Sequence, residues 1–351
     1  MDIASLRLNH RPFLNLVMTF FSFKTSLRQV QKNVRLPPVQ NSRPLSAARD
    51  LKKGLSTSKL VYLGVGATSF SFTAAYWLWN KYEISKLESR PLSPSYFSPT
   101  TLTSSEQVNP RTKVLRLSLK PEVAKELHSL PPVWSVYVKD SDIQVERPYT
   151  PLEGISESGE MVLWIKRYPH GEVGRWLHSK SPGEIIEIRG PEQTFPWNKR
   201  EWDNVIMISG GTGIAPFYQL LHSYFRKSDP TLKTKFVLLQ SYRSPQEFPP
   251  STLLETLSTW QSEGEGRLKV RTFVDNLEGA PAGSGINIGR ISKPDIESEI
   301  KSVNGKTLIL ICGPDPMVNA IAGPKGRDNS QGPVGGILKE IQNSSFHVWK
   351  F

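Results

Sequence analysis

Cysteine is almost missing from this sequence. Cys312 stands alone among 351 residues, which excludes an intrachain disulfide and any zinc site built from several thiolates. Acidic residues are scarce in one region: the first 60 residues carry eleven Lys/Arg against Asp2 and Asp50. That region holds +9 of the chain's net +12, so the rest is close to neutral and offers no nucleic-acid-binding surface. Charge of either sign is absent from Leu60–Trp79, and neither internal repeats nor coiled-coil heptads occur. What remains, 38% hydrophobic and 22% charged residues, is the composition of a chain that folds, and the length suits two domains.

The basic, acid-poor N-terminus, with Ser22, Ser26, Ser42 and Ser46 spaced among its arginines, reads as a mitochondrial transit peptide over residues 1–52. Arg43-Pro44-Leu45-Ser46 resembles a matrix-protease site; a basic tail without targeting function is the alternative. The uncharged stretch 60–79 would extend about 30 Å as a helix, the thickness of a bilayer's hydrocarbon core. Lys59 and Lys81 bracket it, and Tyr76, Trp77, Trp79 and Tyr82 suit an interfacial aromatic belt, so one transmembrane helix is expected, with a buried soluble helix as the alternative. Positive charge lies before this helix, which places the folded part in the intermembrane space, on the outer face of the mitochondrial inner membrane. Residues 80–99, with Pro91, Pro94, Pro99 and several serines, read as a tether.

From residue 100 to 200 the pattern has period two. Leu115, Leu117 and Leu119 alternate with Arg116, Ser118 and Lys120, and further strands are expected at Val133–Val138, Met161–Lys166 and Glu184–Arg189. From 201 to 351 strands alternate with helices: strand Val205–Ser209, helix Ala215–Phe225, strand Phe236–Ser241, a helix near Ser251–Trp260, and strands Leu268–Phe273 and Thr307–Cys312. That order implies a parallel sheet with crossover connections.

Four constellations carry chemistry. Arg147-Pro148-Tyr149-Thr150 joins a phosphate-binding guanidinium, a flat aromatic face and a hydroxyl, the groups a flavin dinucleotide needs. After Ile165-Lys166-Arg167-Tyr168 comes Gly171-Glu172-Val173-Gly174, a glycine turn entering a helix, whose free N–H groups suit a pyrophosphate. Ser209-Gly210-Gly211-Thr212-Gly213-Ile214-Ala215-Pro216 links a strand to a helix without the GxGxxG spacing, and Cys312-Gly313-Pro314-Asp315-Pro316-Met317 stands at a strand's carboxyl end, where open α/β sheets bind ligands. Arg243, just after a strand, could meet a 2′-phosphate or be an ordinary surface arginine.

In this order, the four resemble the ferredoxin-NADP reductase superfamily, and NADH–cytochrome b5 reductases in particular, over residues 100–320. The resemblance implies a six-stranded antiparallel FAD-binding barrel followed by a parallel-sheet NAD(P)-binding domain, with hydride passing from NADH or NADPH to FAD. It assigns Arg147, Pro148, Tyr149 and Thr150 to FAD, with Ile165, Lys166 and Tyr168 on its adenosine and ribityl side and Gly171, Glu172, Val173 and Gly174 at its pyrophosphate. It gives Gly210, Gly211, Gly213, Ala215, Pro216, Gly313, Pro314 and Met317 to the nicotinamide nucleotide, sets Thr212 between the two cofactors and puts Cys312 near the nicotinamide. Thr150 and Cys312 take catalytic positions, Phe351 matches an aromatic residue near the flavin, and no metal is implied. Where the family's glycine turn ends in Ser or Thr this chain has Gly174, which removes one hydroxyl contact.

The glycine- and proline-rich segment Ala322-Gly323-Pro324-Lys325-Gly326 to Gln331-Gly332-Pro333-Val334-Gly335-Gly336-Ile337-Leu338 resembles the tail of fungal mitochondrial relatives of the b5 reductases that assist covalent haem attachment to cytochrome c. The expected function is therefore an FAD-containing NAD(P)H oxidoreductase of the inner membrane, passing electrons to haem or a haem protein such as cytochrome c, with haem lyase as a possible partner. A mitochondrial NADH–cytochrome b5 reductase and a non-catalytic assembly factor are the alternatives.

Overall fold

The computed structural model describes residues 71–82, 86, 91–127, 130–226, 231–278, 285–327, 330–341 and 346–351. The transit-peptide region 1–52 and residues 60–70 of the expected span lie outside them. Residues 71–82 are helical, with Phe72, Tyr76, Trp77, Leu78, Trp79 and Tyr82 exposed. Among the described residues no helix is long and apolar enough to cross a membrane.

The first domain is a six-stranded antiparallel sheet: β1 (Ser98–Asn109), β2 (Thr112–Ser118), β3 (Trp134–Lys139), β4 (Glu146–Tyr149), β5 (Glu160–Lys166) and β6 (Ile185–Gln193), in the order β4-β3-β6-β1-β2-β5. The period-two reading of β2 holds, since Leu115, Leu117 and Leu119 are buried in the domain's own core. Its opposite face is not left to solvent. Val114 and, on β5, Trp164 join a second core shared with the following domain. Helices α1 (Pro121–Leu127) and α2 (Glu172–Ser179) complete this domain.

The second domain is a six-stranded parallel sheet with strands β7 (Asn204–Gly210), β8 (Lys235–Tyr242), β9 (Leu268–Val274), β10 (Asn287–Ile288), β11 (Thr307–Cys312) and β12 (Phe346–Lys350), in the order β10-β9-β8-β7-β11-β12. Helices α3 (Ala215–Arg226), α4 (Ser251–Glu263), α5 (Lys293–Lys301), α6 (Asp315–Ala322) and α7 (Gly336–Glu340) connect them. Every residue of β7 is buried, as a central parallel strand covered on both faces requires. Val205 and Met207 face the core shared with the antiparallel domain, while Ile206 and Ile208 face a third core with Ile309 and Ile311. The winding direction reverses between β7 and β11, whose ends meet at Ser209 and Cys312. A ligand crevice is expected at such a switch point.

Two parts of the sequence depart from expectation. The stretch read as tether enters the fold before its end: Leu92 is buried in the antiparallel core, Gly190 N–H donates to the Ser93 carbonyl, and Ser98–Thr101 pair with Ile185–Ile188. Its prolines and serines mask these pairings. Strand β12, unassigned in the sequence, pairs in parallel with β11 through Phe346–Lys350. Five residues following a glycine-rich loop are too short for their periodicity to stand out.

One side chain staples the domains. Gln219 of α3 is buried; its amide oxygen accepts from the Trp134 N–H at 2.9 Å, and its amide nitrogen donates to the carbonyls of Pro151 at 2.9 Å and Trp134 at 3.2 Å. Gln219→Leu leaves three buried backbone groups without this partner and is expected to lower unfolding stability by about 3 kcal/mol. Urea unfolding measures the loss; an unshifted midpoint contradicts the staple.

Candidate functional site

Of the cavities that open where the domains meet, two are bordered by the sequence motifs. The first, of about 440 Å³, is bordered by Arg147–Thr150 at the end of edge strand β4, by Lys166 and Tyr168 after β5, and by Gly171–Gly174 at the start of α2. The parallel domain supplies Gly210, Thr212, Gly213, Ala215 and Pro216 on one side and Cys312, Gly313 and Pro314 on the other. The second cavity, of about 360 Å³, runs over Gly210 and Gly211 to Arg243, Asp275 and Arg290, with Pro314, Met317 and Ile337 as its apolar side. Lys166, Tyr168, Gly210 and Pro314 line both, so the two cavities are neighbours.

The glycine turns are fixed by close backbone approach. A Cβ at Gly213 would collide with the Cys312 carbonyl, and at Gly210 it would come within 2.7 Å of Met317 Sδ and 2.9 Å of Pro314 Cδ. Gly211, with φ +57°, turns the chain from β7 into the short helical turn that leads to α3. These glycines are what bring the two motifs of the parallel domain into contact.

The first cavity fits FAD. Arg147 is exposed, its Nη1 donates to the Glu146 carbonyl at 2.8 Å, and none of the ion pairs among the described residues includes it, so its guanidinium is available to a phosphate. The N-cap of α2, Gly171, makes no side-chain cap bond, which leaves the helix's first N–H groups to an anion. Burial pushes the Tyr149 and Tyr168 phenols up, so both stay neutral and present flat faces. The hydroxyl of Thr150 lies 2.8 Å from that of Ser135, a buried residue that no motif marked. Trp164 and His170, also unmarked, line the same cavity.

Two expected site residues lie elsewhere. Ile165 points into the antiparallel core, because alternation along β5 sends it opposite to Lys166 and Trp164. Phe351 lines neither cavity; its ring meets Phe217 at 5.9 Å and Phe195 at 6.5 Å, edge to face. Gly211, Arg243 and Met317 belong to the second cavity alone, whereas Thr212, Gly213, Ala215, Pro216, Cys312 and Gly313, expected at the nicotinamide side, line the first cavity alone.

An ion pair crosses between the domains. Lys166 Nζ is 2.7 Å from Glu247 Oε2, both side chains largely buried, while Arg111 Nη1 is 3.4 Å from the other carboxylate oxygen. Glu247 carried no sequence signal, since only the fold brings its turn back to β5. Lys166 is thereby held above Gly211, whose added Cβ would lie 3.6 Å from Nζ. Cys312 is not an acid or base at neutral pH, because desolvation pushes its thiol up to about 12.

Fold and cavities together define a two-domain flavin oxidoreductase that draws on a nicotinamide dinucleotide. Residues 99–197 match the oxidoreductase FAD-binding domain and residues 207–323 the oxidoreductase NAD-binding domain. The chain is 30% identical over 299 residues to NADH-cytochrome b5 reductase 2 of Lodderomyces elongisporus, covering 84% of this chain and 98% of the relative. It is 32% identical over 249 residues to the Neurospora crassa protein of the same name, covering 70% of each. The cytochrome b5 reductase domain of Ulva prolifera nitrate reductase shares the fold, with a TM-score of 0.58 at 21% identity over 74% of this chain and 100% of that one. The chain belongs to the NADH–cytochrome b5 reductase family of ferredoxin-NADP reductase-like flavoproteins, and its cofactors are FAD and NAD(P)H.

Gly174 decides a first prediction. A Cβ there would stand 2.9 Å from the Lys166 carbonyl, so restoring the hydroxyl usual in the family forces α2 away from β5. Gly174→Ser is expected to weaken FAD retention by roughly tenfold, equivalent to about 1.4 kcal/mol. Equilibrium dialysis measures it, and equal or tighter binding contradicts the packing argument. A second prediction concerns Cys312. Its protonated thiol resists iodoacetamide, and flavin reduction shows no thiol titration between about pH 6 and 9, because ionisation begins only near the raised value. Rapid alkylation in that range would overturn it.

Proposed function

We propose that this protein is a membrane-anchored FAD-dependent oxidoreductase that takes hydride from NADH and passes electrons to haem or a haem protein. The observation that carries the reading is that the two cavities are neighbours: Lys166, Tyr168, Gly210 and Pro314 border both, one beside the antiparallel domain and one over the parallel domain. Bound FAD would accept one hydride, two electrons at once, and release electrons singly. The protein's part is placement. Arg147 and the α2 N-terminus hold phosphate, Tyr149 offers a ring face, and the Gly210–Gly213 turn lets a nucleotide approach the backbone. Thr150, positioned by Ser135, presents its hydroxyl at the cavity. Cys312, protonated at neutral pH, lines the first cavity without exchanging a proton there.

The names of the relatives favour NADH as donor and a cytochrome b5-type acceptor. In the second cavity Asp275 stands 3.7 Å from Arg290 and suits a ribose hydroxyl, while Arg243 would suit a 2′-phosphate. A second reading, electron supply for haem attachment to cytochrome c together with haem lyase, is supported by the resemblance of the 322–338 segment. The location proposed is the mitochondrial inner membrane, with both domains in the intermembrane space. It is supported by the basic N-terminus and by large apolar side chains exposed along 71–82, a surface that favours lipid over water.

Purified protein is expected to carry FAD and to reduce ferricyanide with NADH. Comparing cytochrome b5, ferricytochrome c and free haemin as acceptors separates the two readings, and no NADH oxidation with any acceptor removes both. Full-length protein is expected to stay in the membrane pellet after alkaline carbonate, and a variant lacking residues 60–79 to be released. Release of the full-length protein contradicts the anchor.

A further inference from the structure

The glycine- and proline-rich segment between α6 and α7 is built around a lysine. Lys350, near the end of β12, is 2% exposed, the one lysine in the buried core among the described residues. Its Nζ donates to the carbonyls of Pro324 at 2.8 Å, Pro333 at 3.2 Å and Gly323 at 3.4 Å, which uses all three ammonium hydrogens. No carboxylate pairs with it among the described residues, so three carbonyl dipoles carry the whole solvation of a buried cation. Desolvation holds its pKa below the usual lysine range.

The backbone around it is fitted to this arrangement. Gln331 grips the same residue from the other side: its amide oxygen accepts from the Lys350 N–H at 2.6 Å, and its amide nitrogen donates to the Lys350 carbonyl at 3.1 Å. The loop's two arms cross at Gly323 and Gly335, where a Cβ on Gly323 would lie 2.9 Å from the Gly335 backbone. Gly323, whose carbonyl is one of the three, has φ of +78°, a conformation glycine adopts at no steric cost. Removing the ammonium would leave these carbonyls facing one another in an interior site.

The loop joins two helices that wall the second cavity, through Ala320 and Ile321 of α6 and Ile337 of α7. We propose that Lys350 is a positioning residue for the nicotinamide nucleotide: its ammonium closes the 323–335 loop, and that closure sets the Ala320–Ile321–Ile337 wall. The inference rests on the second cavity being the nucleotide's. Lys350 touches no nucleotide and acts only through the helices it ties together.

The test uses the FAD-loaded full chain and three variants. Lys350→Met is expected to raise the KM for NADH roughly tenfold by loosening the Ala320–Ile321–Ile337 wall, with kcat and flavin content unchanged. Amide hydrogen exchange across residues 320–338 should quicken in the same variant without any nucleotide present. In Lys350→Ala, propylammonium added to the assay should restore the KM by occupying the carbonyl site, whereas tetramethylammonium, which donates no hydrogen bond, should not. If Lys350→Met does not fold, Gln331→Ala decides by the same two readouts. An unchanged KM overturns the proposal even if exchange quickens, and so does a loss of kcat or flavin in place of a KM effect. Failure of wild type to bind NADH would instead be a failure of the functional reading, and would appear before any variant is compared.

Discussion

The site depends on how closely two pieces of backbone approach. The turn after β7 and the turn after β11 touch through Gly210, Gly213 and Gly313, with the Cys312 carbonyl where a Cβ on Gly213 would have to go. Neither strand end can withdraw, because β7 and β11 pair from Thr307–Asn204 to Cys312–Ser209. Both cavities take part of their lining from this contact, one extending toward the antiparallel domain and the other along the turn after β8. A side chain larger than hydrogen at these positions would separate the turns and open both cavities together.

A second constraint is the seating of one domain on the other. The shared core draws Val114, Leu152, Trp164 and Phe195 from the antiparallel domain and Phe217, Leu220 and Leu310 from the parallel one. Polar contacts add direction to that apolar contact. Gln219 reads the antiparallel backbone through three hydrogen bonds, and the Lys166–Glu247 pair closes the seam beside the cavities. Lys166 borders both cavities while its counter-ion belongs to the opposite domain, so the cavities and the domain seam share this ion pair.

Much of this was legible in residue types and order. The alternation of Leu115, Leu117 and Leu119, the strand–glycine–helix grammar after residue 201, and the four motifs led to both domains and to most cavity residues. Misreadings came where function and packing use the same letters. Ile165 sits inside a motif, yet strand alternation turns it into the core. Gly174 looked like a lost hydroxyl, whereas the Lys166 carbonyl leaves no room for a side chain. Phe351 matches a family position by order alone, and here Phe195 and Phe217 hold its ring away from the cavities. Ser135, Glu247 and Lys350 were invisible for another reason: each acts through contacts across long stretches of sequence, and no local spacing records those.

The central claim is that a nicotinamide in the second cavity lies against a flavin in the first, across the wall formed by Lys166, Tyr168, Gly210 and Pro314. That arrangement requires direct hydride transfer between the two, with no protein group as intermediary. Anaerobic rapid mixing of the FAD-loaded protein with NADH deuterated at the transferring position of its nicotinamide tests this most directly. The account predicts single-phase flavin bleaching slowed by a primary isotope effect. Bleaching without an isotope effect, or none with NADH at all, would contradict it.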